Sequence, residues 1–467
     1  MPRVFFRADG NEKIGLGHIM RCLALAEMLQ THFECVFLIQ APSVLLKQQI
    51  EASGSFVISL PQQEVDANEV TEELSKHITS QDMIILDGYT FQTAYQKALK
   101  NLSIKVVCID DIPNGLYYAD AIINHTGGFS STDYKTAQPA HFYLGPQYAL
   151  LRTNFLAAKR SIPHIFICFG GADPENYTMQ MLQTCFTHHA RSVLEVVIGS
   201  ANQHQQQLSD LQQIHSNLHI HYNLSAQEMV ELMARCDIGI TSASTIAYEY
   251  LSTGGRLFVI QTASNQKHLF QFLVSEGLAE EGTISNLNKA LNPSNKIATL
   301  FDGQQAKRLR QVFFDLSIKI QQANLNDAQA LYNWANDPIT RSQSFSTEPI
   351  VWDQHLTWFQ RKLNDPQSDL LIAWFGEEAI GQVRFDHRTD YTLISYGLAP
   401  KYRGHGLGYS ILRLAIDWLT TRRNTKNLWG YVKLSNPASM RAFEKLAFER
   451  NHTTDYPETY LYTLNLK

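Results

Sequence analysis

The sequence predicts two parallel α/β domains in tandem, followed by a smaller α+β domain. At 467 residues the chain exceeds what one hydrophobic core usually covers, and about 150 residues per domain suggests three domains. Over the first two-thirds, short apolar runs alternate with amphipathic helical patterns, as in proteins built on parallel sheets. From about Ile318 onwards the pattern changes to neighbouring strands and helices, which is typical of an α+β domain.

The two α/β domains are predicted over residues 1–150 and 151–317. Strands of the first domain are expected at Val4–Phe6, Cys35–Ile39, Met83–Leu86, Val106–Ile109 and Ala121–Ile123. Strands of the second are expected at His164–Phe169, Leu194–Ile198, His219–Tyr222, Ile238–Thr241 and Leu257–Ile260. A polar stretch from Asn286 to Arg310 closes this part, with turn signals at Asn292–Asn295 and at Asp302-Gly303.

The third domain is predicted over residues 318–467. It begins with a strand and continues with helices at Asp327–Ala335 and Trp352–Leu363 and antiparallel strands at Leu370–Phe375, Ala379–Arg384 and Tyr391–Leu398. A helix, a strand, a helix and a strand complete it. Trp334, Trp352 and Trp358 lie on the two helices, and at least two of them are expected in the core, because helical aromatic residues usually pack inward.

The amino-acid composition limits the kinds of molecule that the protein is expected to bind. The formal charge of -5 provides no basic surface for nucleic acid or an anionic membrane, so the expected partners are small molecules. The 6 cysteines show no C-x-x-C spacing, which indicates buried free thiols and a reducing compartment. The amino-terminal apolar run is too short for a signal segment, and no later run reaches membrane-spanning length. A cytoplasmic location is therefore expected.

A glycine-rich segment follows the first predicted strand. Arg7-Ala8-Asp9 leads to Gly15-x-Gly17-His18-x-x-Arg21, which opens a helix. Glycines at such a place let backbone N–H groups approach a ligand, and imidazole suits proton abstraction near neutral pH. A tight turn with an incidental histidine is the alternative, and this motif alone does not exclude it.

Two segments of the second domain suit a nucleotide. Phe169-Gly170-Gly171-Ala172-Asp173 is a glycine turn after a buried strand, and Ser242-Ala243-Ser244-Thr245 precedes Glu249 at the start of a helix. A diphosphate needs hydrogen-bond donors without bulk, and a ribose needs a carboxylate acceptor. Each segment alone is explained by an ordinary capped helix; together they favour nucleotide binding.

These segments, with Asp87-Gly88-Tyr89, Leu150-Leu151-Arg152 and Asn265-Gln266, resemble the UDP-2,4-diacetamido-2,4,6-trideoxy-β-L-altropyranose hydrolases of pseudaminic acid biosynthesis, from Met1 to Arg310. The resemblance implies a B-type glycosyltransferase fold of two Rossmann-like domains, with UDP held mainly by the second. It also implies that His18 activates water against the anomeric carbon, with inversion. The substrate-binding residues that it implies are Arg7, Asp9, Gly15, Gly17, Arg21, Tyr89, Arg152, Gly170, Gly171, Asp173, Ser242, Ser244, Thr245, Glu249 and Asn265. No Asp-x-Asp follows a strand, so no metal is expected.

The third domain carries a second glycine motif. Arg403-Gly404-His405-Gly406-Leu407-Gly408-Tyr409 lies between a strand and an amphipathic helix, where alternating glycines allow consecutive N–H groups to bind a pyrophosphate. With Asn436-Pro437-Ala438-Ser439 and Phe443–Phe448 downstream, it resembles the GNAT acetyltransferase superfamily. That resemblance implies acetyl-CoA as co-substrate, bound by Leu398, Arg403, Gly404, His405, Gly406, Leu407, Gly408, Tyr409 and Asn436.

The segment Leu331–Pro338, with His355–Phe359 after it, resembles the GNAT branch that acetylates the 4-amino group of UDP-4-amino-4,6-dideoxy-N-acetyl-β-L-altrosamine. That reaction makes the substrate of the hydrolase. Two departures from the superfamily pattern stand out: Phe443 replaces a tyrosine that often serves as general acid, and Ala447 replaces a glycine. The acid is then absent or supplied by Tyr431, Tyr460 or Tyr462.

Three other functions remain open from the sequence. The same two-domain scaffold serves glycosyltransferases and hydrolysing epimerases, because a fold does not determine the acceptor. The amino-terminal part is also readable as a non-catalytic nucleotide-sugar-binding module fused to an active acetyltransferase. The Gly15–Arg21 segment favours an active hydrolase over this last alternative.

Overall fold

The computed structural model describes residues 1–8, 17–151, 164–199, 201–283, 286 and 296–466. The chain forms two compact units, Pro2–Leu309 and Arg310–Lys467, which are described separately. The helix Gln305–Ser317 spans the division between them, and the domain boundaries expected from the sequence stay predictions.

The first sheet of the Pro2–Leu309 unit has seven strands in the order β3-β2-β1-β4-β5-β7-β9, all parallel. Its strands are β1 Arg3–Ala8, β2 Glu34–Gln40, β3 Phe56–Leu60, β4 Met83–Asp87, β5 Lys105–Ile109, β7 Ala121–Asn124 and β9 His141–Leu144. The short strands β6 Leu116–Tyr117 and β8 Lys135–Thr136 pair separately. The helices are α1 Gly17–Leu29, α2 Val44–Ala52, α3 Ala67–Glu72 and α4 Thr93–Asn101.

The second sheet of this unit has six parallel strands in the order β12-β11-β10-β13-β14-β15. Its strands are β10 His164–Cys168, β11 Val193–Ile198, β12 Leu218–Tyr222, β13 Ile238–Ser242, β14 Arg256–Ile260 and β15 Glu280–Glu281. The helices are α5 Tyr177–His188, α6 Gln205–Ile214, α7 Ala226–Ala234, α8 Thr245–Ser252, α9 Lys267–Ser275, α10 Lys296–Leu300 and α11 Gln305–Ser317.

Burial on both faces explains the continuous apolar runs of these strands. All five residues of β4 are buried, and Phe166 and Ile167 of β10 face two different core clusters on opposite sides of the second sheet. Parallel sheets covered by helices on both faces need such runs rather than an alternation of polar and apolar residues. The chain returns along a helix after β1 to β4 of the first sheet and after β10 to β14 of the second, and the carboxyl ends of the parallel strands meet at one edge.

The Arg310–Lys467 unit contains one sheet in the order β16-β17-β18-β19-β20-β22-β21. Its strands are β16 Ile318–Gln322, β17 Ser368–Phe375, β18 Glu378–His387, β19 Thr392–Leu398, β20 Asn427–Lys433, β21 Glu449–His452 and β22 Thr459–Asn465. The helices are α12 Ala328–Ala335, α13 Pro338–Gln343, α14 Trp352–Leu363, α15 Leu407–Thr420 and α16 Pro437–Lys445. Every pairing is antiparallel except that of β19 with β20.

The fold class predicted from the sequence is confirmed: the chain is a mixed α/β protein with parallel sheets in its amino-terminal part and a GNAT-like domain after them. The three tryptophans pack against the core between the two helices and the sheet, as expected, and all 6 cysteines are buried and free. The helix Gln305–Ser317 begins inside the predicted polar stretch, whose turn signals at Asn292–Asn295 lie outside the described residues. In the part that is described, no helix is both long and apolar enough to cross a membrane.

Candidate active sites

Three strand ends of the first sheet place polar side chains at one edge. Asp87 ends β4 beside Ala8 of β1 and Ile109 of β5, and Asp111 and His125 follow β5 and β7 within two residues. Ligands of α/β proteins bind at this edge, outside the carboxyl ends of the strands. Asp111 and His125 were not identified from the sequence, although each directly follows a predicted strand, which is the signal that points to them.

His18 lies in the first turn of α1 and faces Asp87. Its Nδ1 lies 2.7 Å from Asp87 Oδ1, and only 12% of its side chain is exposed. An ionised carboxylate only accepts hydrogen bonds, so Nδ1 carries the proton that is donated to Asp87. In the neutral ring this leaves the lone pair on Nε2, the nitrogen that can accept a proton.

Arg21 holds Asp87 in place from the next turn of the same helix. Its Nε donates to Asp87 Oδ2 at 2.6 Å and its Nη2 to Oδ1 at 2.5 Å, while Nη1 donates to Asp111 Oδ1 at 2.5 Å. Helical spacing of three residues puts His18 and Arg21 on one face, so one helix delivers both groups to the same carboxylate. All three nitrogens of the Arg21 guanidinium thus donate to Asp87 or Asp111, and the contact of Arg21 with substrate stays a prediction.

The charges around His18 determine its protonation. Burial disfavours the imidazolium, but the hydrogen bond and the negative charge of Asp87 outweigh burial and raise the pKa of His18. Burial also opposes ionisation of Asp87, yet the charge and hydrogen bonds of Arg21 lower the pKa of that carboxyl well below its usual range. Asp87 therefore stays ionised, and it stabilises the charged form that His18 adopts after taking a proton.

Tyr89 connects the cluster of His18, Asp87 and Arg21 to Asn265, which follows β14 of the second sheet. Its ring packs edge-on against His18 at 5.3 Å, its hydroxyl donates to Asp111 Oδ2 at 3.1 Å, and Asn265 Nδ2 donates to that hydroxyl at 3.0 Å. Burial and the charge of Asp111 raise the pKa of Tyr89 to about 12, so the phenol remains protonated. Two residues predicted to flank the substrate, 176 positions apart, are thus joined directly.

His125 is a second imidazole beside this cluster. It is only 3% exposed, its Nδ1 has no hydrogen-bond partner among the described residues, and its ring packs edge-on against Tyr248 of α8. Burial, with the positive charge of Arg21, lowers the pKa of His125 to about 4. His125 is therefore neutral near pH 7, whereas His18 is the imidazole whose charged form is favoured.

The nucleotide side predicted from the sequence lies at the carboxyl edge of the second sheet. Ser242 ends β13, and its Oγ lies 3.0 Å from Oγ of Ser244, which begins α8 without a side-chain cap. The first N–H groups of α8 are therefore available to an anion. Gly170 has φ +91°, and a Cβ at Gly170 or Gly171 would meet no atom of the described residues within 4 Å, whereas one at Gly199 would lie 2.7 Å from Gly171 Cα. The turn therefore packs against Gly199 and leaves space beside its own two glycines. Thr245 and Glu249 are half-buried in the first turns of α8.

Two predicted substrate residues are engaged elsewhere. Arg7 is 2% exposed, and its guanidinium donates to Glu69 at 2.7 and 3.1 Å, so we assign it a structural role in anchoring β1 to α3. Asp173 accepts from the backbone N–H groups of Tyr177 and Thr178 and so caps α5. Gly17 is exposed at the start of α1, and no atom of the described residues would lie within 4 Å of a Cβ at this position. Asp9, Gly15 and Arg152 lie outside the described residues.

Two neighbouring strands of the acetyltransferase unit pair over only part of their length. β19 and β20 pair in parallel only at Thr392 with Leu428 and at Leu393 with Trp429, and beyond these pairs the strands diverge. The backbone of β19 up to Leu398 thus has no partner on that side, while its other side pairs with β18. An extended ligand is able to bind along this free strand edge.

The glycine loop lies directly after this free edge. Gly404 and Gly406 have φ of +83° and +80°, the left-handed region that favours glycine, and Gly406 precedes the first residue of α15 without any side-chain cap. A Cβ at Gly406 would lie 2.7 Å from Gln311 Oε1, and one at Gly408 would lie 3.3 Å from the Tyr396 ring. The residues present therefore fit a pyrophosphate at the amino end of a 14-residue helix.

Several other residues predicted to bind the cofactor make contacts within the protein, at or near the glycine loop. Arg403 pairs with Asp337 Oδ1 at 2.6 Å and donates to Thr340 Oγ1 at 2.8 Å, which ties the loop to α13. Asn436 accepts from the N–H of Ser439 and caps α16. Leu407 is buried, His405 is exposed, and Tyr409 packs beneath Lys445 at 4.0 Å.

Tyr431, Tyr460 and Tyr462, named from the sequence as possible general acids in place of the tyrosine missing at Phe443, all make other contacts. Phe443 is buried against Gly430 and Tyr462, so it belongs to the core. The hydroxyls of Tyr431 and Tyr462 donate to Asp455 and Glu444, and burial raises the pKa of Tyr462 to about 12. The ring of Tyr460 packs against Arg450 and His452.

Tyr396, which was not identified from the sequence, is better placed than Tyr431, Tyr460 or Tyr462 to serve as the general acid. Its hydroxyl donates to Ser439 Oγ at 3.0 Å, its ring lies 6.0 Å from that of Phe443, and it faces Gly408 of the glycine loop. Burial raises the pKa of Tyr396, so its proton is held tightly. Its position before a glycine-rich loop is the feature of the sequence that points to it.

Comparison with known proteins finds similar proteins for both parts of the chain. Residues 318–449 match the acetyltransferase (GNAT) domain family. The UDP-2,4-diacetamido-2,4,6-trideoxy-β-L-altropyranose hydrolase of Campylobacter jejuni is 24% identical over 60% of this chain and 98% of its own length. An uncharacterised protein of Methanocaldococcus jannaschii is 25% identical over 98% of this chain and 99% of its own. Among solved structures, a spermidine N-acetyltransferase from Vibrio cholerae, in complex with CoA and spermine, covers 32% of this chain and 96% of its own, with 16% identity and a TM-score of 0.30.

The fold and these matches show an amino-terminal region with two parallel α/β sheets joined to an acetyltransferase (GNAT) domain. More particularly, the chain is a fusion of an amino-terminal region similar to UDP-sugar hydrolases and a carboxy-terminal GNAT domain. The two parallel sheets of the first region are compatible with the B-type glycosyltransferase arrangement expected from the sequence. Within the described residues, no group of three or more His, Cys, Asp or Glu side chains is arranged to hold a metal ion.

Proposed function

We propose that the amino-terminal unit hydrolyses a UDP-linked diacetamido sugar and that the GNAT domain acetylates the 4-amino precursor of that sugar. The observation that carries the first half is the cluster of His18, Asp87 and Arg21 at the carboxyl edge of the first sheet. It is a complete general-base arrangement, with a proton acceptor, a carboxylate that orients it and a cation that keeps the carboxylate ionised.

In this mechanism Nε2 of His18 takes a proton from water as the water oxygen forms a bond to the anomeric carbon. The bond between that carbon and the β-phosphate oxygen breaks, and UDP leaves with the electron pair. Asp87 stabilises the imidazolium through the 2.7 Å hydrogen bond at Nδ1. UDP is a good leaving group, so what the protein must supply is activated water and donors for the diphosphate.

The donors we assign to the diphosphate are backbone N–H groups at the start of α8, which no side chain of the described residues caps, and at Gly171 in the glycine turn after β10. Tyr89 and Asn265, hydrogen-bonded to each other, would contact the sugar between the two sheets. Attack by water from the side opposite UDP inverts the anomeric configuration, as the resemblance implies.

For the acetyltransferase, acetyl-CoA as co-substrate would supply a thioester for attack by the neutral amine of the sugar. The new C–N bond would replace the C–S bond, and the proton lost by the nitrogen would balance the CoA thiolate that leaves. The residues that would hold it are those of the Arg403–Gly408 loop and the free edge of β19. Support comes from the match to the GNAT family over residues 318–449 and from the two positive-φ glycines at an uncapped helix start. The order of the two reactions follows from chemistry, because the acetylated product is the substrate expected for the hydrolase.

The test is an NMR time course with the UDP-4-amino sugar, with and without acetyl-CoA. We expect N-acetylation first, followed by UDP and free sugar with inverted anomeric configuration. Without acetyl-CoA, UDP release should be strongly reduced; equal UDP release in both reactions would contradict the coupled pathway. Release of sugar without any acceptor distinguishes hydrolysis from glycosyl transfer, and the ring configuration of the product distinguishes it from epimerisation.

A further inference from the structure

The carboxyl-terminal part of α11 belongs to the acetyltransferase unit. The division between the two units falls within this helix, after Leu309, so Gln311 and Asp315 lie in the same unit as the glycine loop. Phe314 in the same stretch is 2% exposed, and its ring packs against that of Phe375 on β17 at 5.2 Å. The unit therefore contains a helical segment ahead of its first strand, β16.

Gln311 lies directly against the glycine loop. Gly406 has φ +80°, and a Cβ built on it would be 2.7 Å from Gln311 Oε1. Because glycine has only a hydrogen at that position, α11 approaches the backbone of the loop more closely than any other residue type would allow. The side chain of Gln311 thus supports the loop on the side where another residue would carry its Cβ.

Two partners hold the amide of Gln311. Its Nε2 donates to Asp315 Oδ1 at 2.9 Å and to Oγ of Ser410 in α15. Ser410 is fully buried, and its hydroxyl donates to Asp315, whose Oδ2 pairs with Arg413 Nη2 at 3.2 Å. A carboxylate only accepts hydrogen bonds, so the amide nitrogen faces Asp315 and the amide oxygen faces Gly406.

The same network reaches the helix turn assigned to the pyrophosphate. Ser410 is the fourth residue of α15, and Gly406 precedes the first residue of that helix without a side-chain cap. The first turn of a helix carries the N–H groups that an anion binds. Gln311 thus contacts the loop before this turn and is hydrogen-bonded to the end of the turn itself.

We infer that Gln311 is a positioning residue for acetyl-CoA, and that it holds the glycine loop in the conformation that binds the pyrophosphate. The helical segment before β16 is then part of the cofactor site. This inference rests on the proposed assignment of acetyl-CoA to the loop. It adds a residue that precedes the range 318–449 matched by the GNAT family.

The physical reason is preorganisation. Gly404 and Gly406 both have positive φ, and glycine has the largest choice of backbone conformations when nothing supports it. Ordering a loop when a ligand binds costs free energy, and a contact that orders the loop beforehand reduces that cost. Because only the pyrophosphate is assigned to this loop, the loss of Gln311 should weaken binding of the pyrophosphate and leave the thioester end unaffected.

The first experiment measures CoA binding to the full-length protein by calorimetry, which needs no acetyl acceptor. Gln311→Ala should raise Kd for CoA by roughly 10-fold, the effect of losing about one hydrogen bond. Gln311→Glu should raise Kd further, because it places a second carboxylate against Asp315 and next to the anion. Gln321→Ala, at an exposed glutamine in β16, is the matched control and should bind CoA normally.

A second experiment distinguishes positioning from a general loss of stability. Acetyl transfer to the UDP-4-amino sugar is measured with acetyl-CoA and with S-acetylpantetheine, which keeps the thioester and has no pyrophosphate. Gln311→Ala should raise KM for acetyl-CoA and leave kcat/KM for S-acetylpantetheine unchanged. A variant that is merely less stable would lower the rate with both thioesters, and that result would refute the positioning role.

The outcomes separate this inference from the proposed function. If the unaltered protein binds no CoA, the proposed acetylation fails, and the inference fails with it. If it binds CoA but does not acetylate the UDP-4-amino sugar, the proposed acceptor is wrong, and the calorimetric test of Gln311 still decides the inference. If Gln311→Ala and Gln311→Glu bind CoA with the Kd of the unaltered protein, the proposed function stands and the positioning role is refuted.

Discussion

Replacing His18 by asparagine separates the chemistry of hydrolysis from the fold. The amide of asparagine still donates a hydrogen bond but takes no proton from water near neutral pH. Asp87 keeps its two hydrogen bonds from Arg21, at 2.6 and 2.5 Å, so the buried carboxylate is not left unpaired. We therefore expect a large effect on catalysis and a small one on stability.

The expected effect on the rate of hydrolysis is larger than the expected effect on the free energy of unfolding. Loss of a positioned general base typically lowers the rate about 100- to 10,000-fold, or roughly 3–5 kcal/mol in the activation free energy. Complete loss of the charge-assisted hydrogen bond to Asp87 would change the free energy of unfolding by about 1.5–3 kcal/mol, and because asparagine keeps a donor, the expected shift in Tm is at most a few degrees.

The assay measures UDP release from the diacetamido sugar, CoA release, UDP binding by calorimetry and Tm in the same preparations. UDP release should fall by at least about 100-fold while the other three change little. His141→Asn, at an exposed histidine in β9 of the same unit, is the matched control and should hydrolyse normally. Near-normal hydrolysis by a folded His18→Asn protein would refute the assignment of the base.

Three further predictions concern other residues. Because Asp87 raises the pKa of His18 and the base acts in its neutral form, Asp87→Asn should move the acid limb of the kcat/KM profile to lower pH and reduce its plateau; an unmoved limb would contradict the pairing. Gly406→Val should abolish CoA release and leave sugar hydrolysis unchanged, because Gly406 has φ +80° and a Cβ there would lie 2.7 Å from Gln311 Oε1. Gly376→Ala, at φ +62° in the β17–β18 hairpin, is the control for backbone strain. Ala447→Gly should raise the free energy of unfolding by about 1 kcal/mol in denaturant titrations, because Ala447 has φ +62°; a decrease would show that chain entropy outweighs the strain.

Several features were determined by the sequence itself. Continuous apolar runs such as Met83–Leu86 identified parallel strands, because only strands buried on both faces need them. Gly404 and Gly406 were assigned to a ligand loop from their spacing, and the structure gives both the positive φ that such a loop requires. The segment from Gly15 to Arg21 was predicted to open a helix, and α1 begins at Gly17.

Only the tertiary structure decided which distant side chains meet. It joined His18 to Asp87, Tyr89 to Asn265 and Gln311 to Ser410, pairs separated by 69, 176 and 99 positions. It also showed that Arg7 belongs to a buried ion pair with Glu69. Periodicity reports which face of its own element a residue occupies, whereas partners across a sheet edge or between loops depend on how separate elements pack. For that reason the sequence indicated the two chemistries, and the fold determined which groups carry them out.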